Sequence, residues 1–178
     1  MCTNVFLRNA LSFLFLMFIG SVAEGKDKDL TYLRDGISFS ILDSWKTIAN
    51  DSIGDKGYYF SAERSGKHST GLITVTWINK IEDPLKMIEI HQQSMKSANI
   101  YRNPGIEFSL VEELNFAGHK VKSCRYVTLV KDQKLEGIIY CFNSPNKTIT
   151  IFLQSGLEDH KRNQQAFELL QSTFNCRD

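Results

Sequence analysis

Residues 37–41 alternate apolar and polar side chains, Ile37-Ser38-Phe39-Ser40-Ile41, which is the period-two pattern of a half-buried strand. Asp43-Ser44 interrupts the pattern and Trp45 to Ile48 resumes it, before a turn-rich stretch from Asp51 to Gly57 that contains Gly54. Tyr58 to Glu63 reads as a strand that runs into a polar loop, Arg64 to Ser69. Leu72 to Ile78 is rich in β-branched and aromatic residues and places Ile73, Val75 and Trp77 on one face. The period then changes. Asp83 is a helix cap and Pro84 suits the first helical position, where its missing N–H costs nothing. Leu85, Ile88, Gln92 and Met95 follow at helical spacing, with Ala98 beyond, and Asn103-Pro104-Gly105 closes the region.

Strands return after this helix. Ile106 to Leu114 leads to a turn at Asn115-Phe116-Ala117-Gly118, then His119 to Val130, Leu135 to Asn143, a turn at Ser144-Pro145-Asn146-Lys147, and Thr148 to Leu153. Short loops between successive strands predict an antiparallel meander. A second helix is announced by the capping box Ser155/Glu158. Its apolar stripe is Ala166, Phe167, Leu170 and Phe174, with Leu169 beside it, and its polar first half, His160 to Gln165, is expected to face solvent. One helix between runs of strands and one at the end define an α+β chain with a mostly antiparallel sheet.

Three stretches resemble the PsbP-like family, exported proteins related to the extrinsic PsbP subunit of photosystem II. They are Gly36-Ile37-Ser38-Phe39 followed by Trp45-Lys46, Phe116-Ala117-Gly118-His119 before a long strand, and Phe167-Glu168-Leu169-Leu170-Gln171-Ser172-Thr173-Phe174 at the end. The likeness spans residues 30–175. It departs from the family at Leu42-Asp43-Ser44, where proline and glycine usually precede the tryptophan, and at Thr173, which separates the closing Ser and Phe. The resemblance implies a central antiparallel sheet flanked by helices on both faces, an α/β/α sandwich, and no catalytic machinery.

The first 23 residues change the picture of where the domain works. Arg8 is their only charge, Ala10 to Ile19 is mostly apolar, and Ser21 and Ala23 occupy the −3 and −1 places of a small-x-small exit. This is the pattern of a cleaved secretory signal peptide. The run from Ala10 to Ala23 falls short of the roughly 20 apolar residues a spanning helix needs, and the charged stretch from Glu24 to Asp29 follows at once. Cleavage after Gly25 also fits small-x-small. Cys2 precedes the apolar run and the next cysteine is Cys124, so a lipoprotein anchor is not expected. The expected organisation is a signal peptide (1–23), a short charged leader (24–29) and one α+β domain (30–178), secreted or periplasmic. Roughly 155 residues suffice for one domain with a substantial core.

Charge narrows the partners. The full chain has 21 Lys+Arg and 20 Asp+Glu, a formal charge of +1. Removal of Arg8 with the signal leaves a neutral, interspersed charge pattern. That argues against nucleic acid, which needs a clustered basic face, and against a polybasic membrane patch.

Export makes a disulfide chemically possible. A symmetric four-residue turn at Lys131-Asp132-Gln133-Lys134 would pair Val130 with Leu135 and set Cys124 directly opposite Cys141, within bridging reach. A bridge using Cys176 and packed, unbridged thiols are the alternatives, and Cys176 could also pair between chains. Other chemistry is sparse. His119 lies near Cys124 and Cys141 in sequence, the seed of a thiol-dependent hydrolase reading, but mid-strand cysteines usually pack rather than react. His68, His91, His119 and His160 lack metal-ligand spacing, and Glu112-Glu113 points one carboxylate to each side of a strand. His91 is expected to be a packed, hydrogen-bonded core histidine. Tyr58-Tyr59-Phe60, Trp45 and Trp77 read as core packing rather than a ligand groove. Asn50-Asp51-Ser52 and Asn146-Lys147-Thr148 match glycosylation acceptors and otherwise serve as turn residues. The expected function is that of an exported, non-catalytic binding or accessory protein without a cofactor, acting on an envelope or secreted protein partner. The alternatives are the thiol-dependent hydrolase and a small-ligand or lipid carrier.

Overall fold

The eight-stranded sheet at the centre of the molecule is antiparallel at every described pairing. The computed structural model describes residues 29–66, 69–98 and 105–177. The signal segment, and all of the leader but Asp29, lie outside these residues. In chain order the elements are β1 (Asp29–Arg34), β2 (Ile37–Leu42), β3 (Trp45–Ser52), β4 (Gly57–Arg64), β5 (Leu72–Ile78), α1 (Pro84–Ser97), β6 (Ile106–Phe108), β7 (Glu112–Phe116), β8 (His119–Val130), β9 (Gln133–Asn143), β10 (Thr148–Gly156), a 3₁₀ turn (Leu157–Asp159), α2 (His160–Thr173) and β11 (Asn175–Cys176). The large sheet has the order β3-β4-β5-β10-β9-β8-β6, with β7 also paired to β8, and β1-β2-β11 form a small second sheet.

Alternation along the strands separates two apolar clusters. Ile73, Val75 and Trp77 are fully buried and stand opposite Leu153, Ile151 and Ile149 of β10. Over this face lie Ile37, Phe39 and Ile41 of β2 and Ala166, Leu170 and Phe174 from α2 and its end. The alternate residues Cys124, Tyr126, Ile139 and Cys141 form a second cluster with Ile88, while Met87, Met95 and Phe152 pack against it. Helix α1 starts as its sequence dictates: Asp83 accepts a hydrogen bond from Leu85 N–H at 2.9 Å, and Pro84 opens the helix.

Several expectations are corrected. Full helical layers on both faces do not form. One face of the large sheet meets the small β-sheet together with α2, and α1 packs only on the β6-β8-β9 end, so the sheet is not sandwiched between helices. The strand expected over Ile106–Leu114 splits into β6 and β7 at Ser109, whose N–H still donates to Arg125 O at 2.9 Å but whose hydroxyl, in place of its carbonyl, accepts from Arg125 N–H at 3.0 Å. The capping box is replaced by a 3₁₀ turn. Ser155 stays within β10, paired with Glu136, and accepts from Asn163 Nδ2 at 2.8 Å, so Asn163, in the half of α2 expected to face solvent, is fully buried.

The β8–β9 register also differs. The turn is two residues long, Lys131-Asp132, both with positive φ (48° and 65°), so Val130 faces Gln133. This is the backbone that a tight hairpin demands, and it usually recruits glycine or asparagine. No glycine marks it here. Cys124 therefore faces Ile139 and Cys141 faces Lys122. The displacement by two residues keeps both thiols on one side of the sheet but makes them diagonal neighbours, whose typical separation of about 7–8 Å is beyond bridging reach. Both are unbridged.

Candidate functional site

The loop between β4 and β5 meets the junction of β10 with α2, and between them opens a cleft of about 590 Å³. Arg64, Thr70, Gly156, Asp159 and Arg162 line it, together with Asp132 and Lys134 from the β8–β9 hairpin. Its floor is a buried polar network. Arg64 and Asp159 form an ion pair with 2.5 Å between guanidinium and carboxylate, both side chains largely withdrawn from water. Asp159 also accepts from the backbone N–H and the hydroxyl of Thr70, at 3.1 and 3.0 Å. The Thr70 hydroxyl accepts in turn from Gly156 N–H at 2.8 Å. Arg64 Nε donates to Asn163 Oδ1 at 2.8 Å, which ties the pair to the buried Asn163–Ser155 link.

Burial alone would push the Asp159 carboxyl up. The Thr70 hydroxyl and the Arg64 guanidinium outweigh it and hold the carboxyl below its ordinary value. Arg64 and Asp159 are thus paired at the floor, and around them Lys134, Glu158 and Arg162 stand exposed at the rim, Lys134 3.4 Å from Glu136 and Arg162 4.0 Å from Asp159. A rim carrying both signs suits a polar, mixed-charge surface rather than an acyl chain.

The residues singled out in the sequence do not gather here. Cys124 and Cys141 sit in the second apolar cluster, where burial pushes the Cys141 thiol up to about 11. Cys124 accepts from Gln92 Nε2 at 3.1 Å. His119 does not approach them, because the alternation along β8 sends it to the opposite side of the sheet from Cys124. There its Nε2 lies 3.6 Å from the thiol of Cys176. His91 is largely buried, but its Nε2 has no hydrogen-bond partner among the described residues, contrary to the expected bonded histidine. Burial holds it below its ordinary pKa. Trp45 and Trp77 are core residues. Among the described residues no group of three or more His, Cys, Asp or Glu is placed to hold a metal ion, and none of the helices is long and apolar enough to cross a membrane. Arg64, Asn163 and Asp159 carry no motif. Only Asn163 had a legible signal, a polar residue three positions before Ala166 on the stripe side of the helix.

A twisted antiparallel sheet with a small β-sheet and α2 on one side and α1 at one end of the other is the PsbP-like fold. No protein-family model matches the sequence, and none of the curated proteins matches it. The likeness lies in three dimensions. Cyanobacterial PsbP (CyanoP) from Synechocystis sp. PCC 6803 is similar with a TM-score of 0.57 and 14% identity over 91% of this chain and 99% of that one. LpqN, involved in cell envelope biogenesis of Mycobacterium tuberculosis, is similar with a TM-score of 0.54 and 10% identity over 86% and 91%. A variant of the protein Mog1 gives 0.53 and 10% over 86% and 97%. At these identities the shared property is the fold.

Proposed function

We propose that the chain is an exported, non-catalytic binding module that holds a mixed-charge segment of an envelope or secreted protein in the cleft between the β4–β5 loop and α2. The observation that carries this reading is the division of labour in that cleft. Arg64, Asp159, Thr70 and Asn163 are locked in a mutual network, and the exposed side chains of the rim carry both signs. The fold shared with LpqN, a protein of cell envelope biogenesis, supports an envelope setting, as does the signal pattern of residues 1–23. The charged lining weighs against the lipid-carrier alternative, and the burial of Cys124 and Cys141 weighs against a hydrolase built on them.

A photo-crosslinking residue placed at Glu158, in the mature domain incubated with envelope extract of its own host, tests the reading. The expected result is one dominant protein adduct. A crosslinker at Tyr59, far from the cleft, is expected not to give it, and Lys134→Glu with Arg162→Glu is expected to weaken it several-fold in a salt-dependent way. Equal adducts from both positions, or copurification of a small molecule in place of a protein, overturn it.

A further inference from the structure

Cys176 is the one cysteine among the described residues that reaches the surface; Cys124 and Cys141 are fully buried. It lies in β11, which hangs on β2 through the pairs Asn175↔Ser38 and Cys176↔Ile37. This attachment brings its Sγ to 3.6 Å from Nε2 of His119, 57 residues earlier in the chain. The imidazole is held in place on two sides. It stacks on Phe142 with centroids 4.9 Å apart and 22° between planes, and it meets Phe174 edge-on at 6.5 Å. A second, open cleft of about 430 Å³ is lined by Ala117, Gly118, Gln171 and Phe174 among others, neighbours of the pair in sequence, and not by His119 or Cys176 themselves. Gly118 adjoins His119, and Phe174 comes two residues before Cys176. A clamped imidazole at a partly exposed thiol is a nucleophile–base pair.

We propose that Cys176 is a modification site that exchanges with a low-molecular-weight disulfide, and that His119 accepts its proton. The thiol proton passes to Nε2 of His119, and the Cys176 sulfur attacks one sulfur of the disulfide. The disulfide's S–S bond breaks as the new one forms to Cys176. The departing half leaves as a thiolate and takes up the proton from His119. Cys176 is oxidised by the half-molecule that is reduced, so the step balances without a further oxidant. A free thiol reverses it. The site is remote from the charged cleft and does not depend on the function proposed for it.

The test uses an aromatic disulfide that releases a coloured thiolate, applied to the native mature chain. One thiolate per chain is expected at once, with the adduct on the peptide containing Cys176 by mass. The remaining cysteines are expected to react only after unfolding. Cys176→Ser is expected to abolish the native reaction. His119→Gln is expected to slow it about tenfold, the effect of a tenfold loss of reactive thiolate, and added imidazole to restore part of the rate. A merely structural His119 would not give that rescue. The unfolding midpoint of each variant shows whether it is folded, and Phe142→Leu, which loosens the ring but keeps the base, is expected to slow the reaction less than His119→Gln. Native reaction at Cys124 or Cys141, or an unchanged rate in a folded His119→Gln protein, overturns the proposal.

Discussion

Replacing Asp159 by Asn probes the floor of the charged cleft while keeping the shape of the side chain. The carboxylate accepts from Arg64 and twice from Thr70. An amide in its place has one acceptor oxygen, and its NH₂ must face either the guanidinium or the Thr70 donors. Arg64 would retain its bond to Asn163 but lose its counter-charge while largely buried. Breaking a buried pair from one side costs about 3–5 kcal/mol, because the surviving charge is left uncompensated. With a urea slope of about 2 kcal/mol per molar, the midpoint of unfolding is expected to fall by roughly 2 M. Arg64→Met is expected to cost a similar amount, and the double variant well under the sum, with a coupling above about 1 kcal/mol. There is also a pH signature. The folded carboxyl titrates below its unfolded value of about 3.9, so its stabilisation is complete above that pH and is lost as pH falls through the folded value. The wild type should therefore lose stability on acidification below about pH 4, more steeply than Asp159→Asn. A loss under about 1 kcal/mol in Asp159→Asn, or additive single variants, would refute the picture of an interlocked floor.

Gly137→Ala is expected to destabilise by about 1–3 kcal/mol in urea titration, since the new methyl would run into the buried Tyr126 ring and force it off its stack with Phe152. Tyr126→Phe removes the 2.9 Å bond to Gln154 while keeping that packing, and should cost about 1 kcal/mol by the same assay. His91, held neutral by burial, has a folded pKa below its unfolded one, so stability is fully present above about pH 6.5 and falls as acid protonates the unfolded chain first. His91→Leu should flatten the stability profile as pH falls below about 6.5, and an unchanged slope would count against a desolvated ring.

What the sequence made legible was whatever repeats. The period-two faces of β2 and β5, the Asp83-Pro84 start of α1 and the Ala166–Leu170 stripe of α2 were readable because each is enforced by neighbours in sequence. What was not legible depended on one residue defeating a local rule. Lys131 and Asp132 adopt positive φ without glycine, which shortens a turn and moves Cys141 from opposite Cys124 to opposite Lys122. Ser155 and Glu158 satisfy a capping rule, yet Ser155 remains in β10, paired with Glu136 and bonded by Asn163 from the first turn of α2. Arg64, Thr70, Asp159 and Asn163 come from the end of one strand, a loop, a 3₁₀ turn and a helix, so no spacing in the chain could announce them. The same holds for His119 and Cys176, which meet only because β11 returns to the edge of β2 after α2 has crossed the sheet. Fold here is written in short-range periodicity, whereas both places with chemical potential are made where distant elements end against each other. A chain of this fold can therefore keep every core pattern and change its binding chemistry through a handful of residues at strand ends. At 10–14% identity the fold is what this chain and these neighbours have in common, and a fold alone does not carry a site with it.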